Sequence, residues 1–301
     1  MYVFGGRTLT HASPSSATRD HAYCGLFVYN TRTGAWRLLR PDMPESDNSA
    51  IPSGLIRSRI GHSMVYHTGE KKLFVFAGQR SKDYLCDFLV YDVTNDQLTE
   101  VSRDTSREGG PDPGFTQRAT IDEARGEIYV LSGLMRDKSS TQEIVKTWLW
   151  VYSLHDGKWT KVYQNENVDQ AYWEKMKDVE PVPRFAHQFV YDLKEKVHYL
   201  FGGNPGESGN RVRLNDFWEL RLLRPSIELL YNRALFLIRK QRFLELCAAG
   251  ESLSALRFLQ NEISQCINHN EPTQAAEFHA LTSELFIKRL LFGDLRALGV
   301  F

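Results

Sequence analysis

From the first residue to about position 222, apolar residues come in short runs at a period of two; beyond Ser226 the period becomes 3.6. A period of two sets one side of a strand on a core, and 3.6 sets one stripe of a helix there. The β rhythm is clearest from Arg184 to Gly203, RFAHQFVYDLKEKVHYLFGG. FAHQFVY and VHYLF flank the polar turn DLKEK, and Gly202-Gly203 ends the second run. Val, Tyr and Phe suit a pleated surface, and paired glycines allow positive φ and close backbone approach. The template returns at Arg59–Gly78, RIGHSMVYHTGEKKLFVFAG, and at 114–133, GFTQRATIDEARGEIYVLSG; MYVFGG at Met1–Gly6 is its second half alone.

Spacing inside the copies is tight. His62, Gln117 and His187 each lie 16 residues before Gly78, Gly133 and Gly203. LFVYN, FLVYD and LWVYS then end at Asn30, Asp92 and Ser153. Trp36 follows Tyr29 by seven residues, Trp159 follows Tyr152 by seven, and Leu98 occupies that place after Tyr91. Each pair brackets a polar turn, which adds a third and a fourth strand. Four strands repeating every 55 to 72 residues predict the blades of a β-propeller. The units cover about 1–39, 57–101, 115–162 and 184–222, the first without its opening strand. Trp36 and Trp159 read as aromatics packed between blades.

The insertion RTLTHASPSSATRDHAY reads as a surface loop, and 40–56, with Pro41, Pro44 and Pro52, as a link that need not be ordered. Residues 102–114 form a second link, and NVDQAYWEKMKDVE within 163–183 has room for one or two helical turns. In the last unit Leu220 and Ile227 stand where Tyr and Trp are expected, and Pro225 ends the sheet rhythm. Residues 226–301 read as a helical region. Ser226 is a suitable N-cap for a first helix with Ile227, Leu230, Ala234, Leu237 and Ile238 on its buried stripe, and Arg239, Lys240 and Arg242 near its end. A second helix is expected over about Ser254–Ile267, striped by Leu256, Leu259 and Ile263. A third is expected from Pro272 and Thr273 through Leu281, Leu285 and Leu291 to Gly293. The expected class is therefore mainly β, a propeller segment of 1–225 followed by helices.

Charge changes little in this picture. Lys plus Arg number 37, Asp plus Glu 37, and the pI is about 7.1, so there is no electrostatic case for nucleic acid or an anionic membrane surface. No apolar run reaches the length of a transmembrane helix, and the opening strand does not look like a signal peptide. Cys24, Cys86, Cys247 and Cys266 are widely spaced, form no metal-type pairing, and read as reduced thiols. With no Asn-x-Ser/Thr sequon, the expected location is cytoplasmic, with nuclear occurrence left open.

Arg-x-x-His, the double glycine, and Tyr followed by Trp at seven residues recur in order, and together they resemble the kelch repeat. The stretches RIGHSMVYH, GQRSKDYLCDF, GFTQRATID and RFAHQFVYD are similar to those of the muskelin-like kelch family, over residues 1–225 and into the tail. The resemblance implies about four blades of a six-bladed ring, from the C-terminal part of such a protein. It implies a non-enzymatic protein-binding module, a scaffold or substrate-recruiting subunit of a CTLH-type E3 ubiquitin ligase. Its partners would be ligase subunits or substrate peptides, with no cofactor. A cytoskeleton-linked adaptor is the alternative, and a propeller enzyme a weaker one. Bare flanks on an incomplete set of blades also imply self-association.

Among candidate residues, His62 and His187 share one repeat slot, which suggests packing before general-base or ligand chemistry. No third ligand is suitably spaced, so no metal is expected. Asp87 and Asp216 open equivalent third strands and read as turn or cap residues. GGNPGESGNR lacks the Gly-Lys-Ser/Thr of a phosphate loop, and SLHDGKW only faintly resembles a sialidase Asp box. The family resemblance places the approaches to first strands, Arg57, Arg59, Phe115 and Arg184, at one mouth of the ring. The loops carrying Gln79, Arg80 and Lys82 and carrying Asn204 to Arg211 would join them. This set has more cations than acids and would suit an acidic or carboxylate-bearing peptide, although repeating Arg also fits internal hydrogen bonding.

Overall fold

The computed structural model of the chain describes residues 1–9, 21–44, 50–136, 143–167, 169–206 and 213–283. Two compact units divide at Arg221, Met1–Arg221 and Leu222–Phe301. The first is a set of antiparallel sheets and the second is helical, so the chain is mainly β with a C-terminal helical region.

Four main sheets follow one another. The first pairs Tyr2–Phe4 with Leu26–Asn30 and that strand with Ala35–Arg40. The second orders Ser63–His67, Lys72–Phe76, Phe88–Asp92 and Gln97–Ser102 as a meander. The third repeats it with Arg118–Asp122, Glu127–Leu131, Thr147–Ser153 and Lys158–Asn165. The fourth has three strands, Gln188–Asp192, Val197–Gly203 and Leu214–Leu220. The same chemistry closes equivalent hairpins: Asp92, Asp122 and Asp192 each accept two backbone N–H bonds on one carboxylate oxygen. Three-stranded and two-stranded ribbons, among them Gln79–Arg80 with Asp83–Tyr84 and Leu134–Arg136 with Glu143–Val145, decorate the sheet ends.

The sheets pack face to face because inner strands such as Lys72–Phe76, Glu127–Leu131 and Thr147–Ser153 are apolar on both sides. Tyr2 and Phe4 reach Tyr66 and His62 at ring separations of 5.4 and 4.7 Å. Phe74, Phe76 and Phe88 of the second sheet meet Ile128, Val130, Trp150 and Tyr152 of the third in one buried cluster. Tyr129 of the third meets Tyr191 and His198 of the fourth at 5.6 and 4.5 Å. First strands lie side by side: Ser63 Oγ donates to Gln117 O at 2.7 Å and accepts from Ala119 N at 2.8 Å. Arg118 Nε donates to His187 O at 2.9 Å.

The structure refines two expectations and bears out a third. The link 40–56 is tied at its ends, since Met43 N donates to Ile56 O and Ile56 N to Pro41 O, each at 3.0 Å, with both Met43 and Ile56 buried. Trp159 packs between sheets, whereas Trp36, its repeat equivalent, is 57% exposed, its ring contacts being with Phe27 and Tyr29 of its own sheet. The insertion expected to hold helical turns carries the short helix Gln170–Met176, capped by Asp169.

The helical unit departs further. Ser226 caps helix Ile227–Ala248, its Oγ accepting from Leu229 N at 3.1 Å. The helix runs past Arg239, Lys240 and Arg242, which sit mid-helix, and stops before Gly250 at φ +77°. The expected stripe is not the buried one: Ile227, Leu230, Leu237 and Ile238 are exposed, while Phe236, Phe243, Leu246 and Cys247 are buried. Apolar residues occupy two faces, and the aromatic one makes the core. It packs on Ala255, Leu259, Ile263 and Cys266. Those four belong to helix Ser252–Phe258, a π turn at Leu259–Ile263 and a 3-10 turn at Ser264–Cys266, and Leu256 is exposed instead. A further helix covers 272–283; Leu285, Leu291 and Gly293 lie outside the described residues, as do residues 10–20 of the first insertion.

Candidate functional site

The residues that approach the first strands converge at one edge of the sheets. Gly6 N donates to Arg59 O at 3.0 Å, Thr116 N to Gly61 O at 2.9 Å, and Ala186 N to Thr116 Oγ1 at 2.9 Å. Gly61, Thr116 and Ala186 share one repeat slot and all have positive φ, at 61°, 58° and 53°. Only the glycine adopts that conformation without strain. At Gly61 it also makes room, because a Cβ there would stand 2.0 Å from the Phe115 ring.

The arginines of this edge point inward. Arg59, with no exposed surface, forks onto both Asp87 oxygens, with Nη2 to Oδ2 at 2.8 Å; its other donors reach Ala77 O at 3.1 Å and Arg57 O at 3.0 Å. Arg184 repeats this onto Asp216 at 2.5 and 2.7 Å, onto Gly202 O at 3.1 Å and onto Val182 O at 2.9 Å. Each fork ties the approach strand to the second and third strands of its sheet. Burial pushes the Asp87 carboxyl up, but Arg59 and then Arg57 outweigh it and hold the group below the usual carboxylate range. Asp216 is lowered in the same way, with Arg184 and the Trp218 indole against burial. In the third sheet the strand register puts Gly114 and Trp148 in the two slots, so both partners are absent together.

Arg57 and Arg80 are committed as well. Arg57 Nη1 donates to Asp87 at 3.0 Å and Glu100 at 3.2 Å. Arg80 forks onto Asp42 at 2.9 and 3.1 Å, donates to Ser58 O and Met43 O, and lies 4.6 Å over the Tyr23 ring. The cationic character expected of this edge is therefore neutralised internally. Arg211 lies outside the described residues.

What the edge presents is aromatic and mixed. Phe115 stacks on Tyr84 at 6.0 Å, and Tyr84 donates to Glu143 at 2.5 Å. Gln79 and Asn204 are half-buried and hold backbone bridges to Ile60 and Phe185; Lys82 and Asp83 are exposed beside them. Gly206 N donates to Asn204 Oδ1 at 3.1 Å and lies against Val145. The structure thus brings Gln79, Lys82 and Phe115 together with Tyr84, which sequence reasoning missed; its alternating place in SKDYLCDF was the available signal.

Both repeat histidines are held in the neutral form. Burial, then Arg59 and Arg118, lowers His62 to about 3; burial, then Arg118 and Arg184, lowers His187 to about 3. Both are neutral at physiological pH and too weakly basic for proton transfer there. Among the described residues no group of three or more His, Cys, Asp or Glu is placed to hold a metal ion.

Comparison with known proteins overturns the family resemblance. No protein-family model matches the chain. The chain is similar to Mei4-dependent protein 6 of Schizosaccharomyces pombe, 25% identical over 244 residues. That match covers 79% of this chain and 33% of the relative, so the chain spans about a third of the relative's length. The muskelin-like assignment has no support in these findings. Its repeat signature is accounted for by sheet packing: Arg forks, neutral histidines and positive-φ turns in repeated slots.

Proposed function

We propose that this chain is a non-enzymatic protein-interaction module, and that its four sheets are successive blades of a β-propeller segment, part of a ring of about six. The observation that supports binding is the edge itself. A rigid, hydrogen-bonded row of approach strands presents Tyr84, Phe115, Gln79 and Lys82, while the ionisable groups beneath them are paired or held neutral. Aromatic side chains with a few polar neighbours are the composition of a peptide or protein docking surface. The same burial leaves His62 and His187 poorly suited to act as general bases.

The narrower reading, a scaffold or substrate-recruiting arm of an E3 ubiquitin ligase, rested on the family resemblance alone; the general reading stands without it. No described helix is long and apolar enough to cross a membrane. The test is affinity capture with the wild type and with Lys82→Glu plus Tyr84→Ala, both on the Gln79–Tyr84 ribbon, Lys82 exposed and Tyr84 half-buried. Proteins held by the wild type should be lost while the melting temperature is unchanged. Capture that survives the pair of substitutions refutes this edge as the docking surface. Probing the captured set for ligase subunits and for actin separates the ligase reading from a cytoskeletal one.

A further inference from the structure

Arg118 opens the first strand of the third sheet, Arg118–Asp122, and is half-buried. Every other described arginine that is buried or half-buried faces a carboxylate. Arg40 has Asp96, Arg57 and Arg59 share Asp87, Arg80 has Asp42, Arg184 has Asp216 and Arg239 has Glu262. Arg118 has none among the described residues. The repeat does not call for a cation there either, because Ser63 and Gln188 fill the same register slot in the second and fourth sheets.

The guanidinium is held on one side and open on the other. Nε donates to His187 O at 2.9 Å, which fixes the plane of the group. Nη1 and Nη2 donate to nothing among the described residues, and neither is sealed from solvent. Burial alone acts on Arg118, lowering it from its ordinary value with no carboxylate to oppose the shift. The histidines beside it are uncharged, His187 through burial and then Arg118 itself, His62 through burial, Arg59 and Arg118. The opening does not come from an end of the β unit. Strands Ser63–His67 and Gln188–Asp192 flank Arg118–Asp122, the first through the Ser63 Oγ bonds with Gln117 O and Ala119 N, the second through Arg118 Nε.

We propose that the Nη1–Nη2 end of Arg118 is a binding site for a carboxylate. With Nε occupied, those two groups supply the parallel N–H donors that a carboxylate takes bidentately, and the fixed plane lowers the ordering cost of binding. One guanidinium among neutral histidines balances one negative charge, so a carboxylate monoanion fits where a phosphate dianion would keep a charge unmatched. A small organic acid, an Asp or Glu side chain of a peptide, and a peptide C-terminus all present the same two oxygens. None of Gln79, Lys82, Tyr84 and Phe115 takes part, so this site and the docking edge proposed above stand or fall separately.

The experiment is an NMR titration of the purified 301-residue chain at constant ionic strength, with the His187 Cε1–H signal as reporter because Arg118 acts on that ring. Acetate should shift the signal saturably, with a dissociation constant on the order of 1 mM, and neutral acetamide should not. Arg118→Gln, the residue type the fourth sheet uses in this slot, should keep the amide spectrum of the folded chain and weaken acetate binding more than about tenfold. Arg118→Lys keeps the charge without the fork and should also bind less tightly than the wild type; it carries the test if Arg118→Gln does not fold. N-acetylglycylglycine offers a C-terminal carboxylate and N-acetylaspartic acid α-amide a side-chain one. The tighter of the two names the source within a peptide, and acetate binding without either assigns the site to a small acid. No saturable shift with acetate, an equal shift with acetamide, or unchanged affinity in the variants overturns the proposal.

Discussion

The repeated Arg–Asp fork makes unequal demands in its two copies, and that inequality can be measured. Asp87 is 2% exposed, and it faces Arg59 at 0% and Arg57 at 13%. Asp87→Asn keeps the shape but removes the only charge shared by both guanidinium groups; Arg59 then stays buried with no counter-ion. Breaking a buried pair from one side costs about 3–5 kcal/mol. Asp216 is 34% exposed and has one guanidinium partner, Arg184, beside the Trp218 indole, so water can enter beside the vacated carboxylate. Its loss is nearer the ~2 kcal/mol of a hydrogen bond to a charged group. With a urea m-value of about 3 kcal/mol/M, the midpoints should fall by ~1–1.7 M for Asp87→Asn and ~0.7 M for Asp216→Asn. Urea unfolding followed by tryptophan fluorescence reads both. Arg59→Met with Asp87→Leu removes both charges of the fork, leaves Arg57 with Glu100, and should lose less than Asp87→Asn alone. If Asp216→Asn is as damaging as Asp87→Asn, or the double substitution is worse than the single, burial of the fork is not what sets its energetics. Arg59→Glu faces Asp87 in the same dry site, so lost binding in that variant would report unfolding.

Acid should weaken the fold before its carboxylates titrate. Burial lowers His187 from 6.5 to about 3 and His198 to about 4, so below pH ~6.5 the unfolded chain takes up protons that the folded chain refuses. Stability then falls as pH drops from ~6.5 toward 4, by up to about 1.4 kcal/mol per pH unit for each histidine. His187→Gln, the residue type the third sheet uses in this slot, should flatten the dependence of the urea midpoint between pH 7 and 5; an unchanged slope refutes the assignment. The two repeat tryptophans should part company, with Trp159→Ala losing about 3 kcal/mol and Trp36→Ala within about 0.5 when both are measured at dilution. Equal losses would mean that the first sheet has a neighbour within the chain.

How far the sequence carries this fold follows from what its signals encode. Alternation and the spacing of His62, Gln117 and His187 report strands and turns, which depend on neighbours in the chain, and those were legible. Asp92, Asp122 and Asp192 close their hairpins through bonds two and three residues away, so local chemistry sufficed there. Arg59 was ambiguous because a binding arginine and a buried one look alike until Asp87, 28 residues on, is seen beside it. Helix Ile227–Ala248 was misjudged for a related reason. It has apolar residues on two faces, and only the partners Ala255, Leu259 and Ile263 decide that the Phe236–Phe243 face is the core. Trp36 and Trp159 obey one spacing rule yet differ in burial, because burial belongs to the neighbouring sheet. A repeat read from sequence thus defines the faces of every unit alike, and only the order of units in space decides which faces are left to bind.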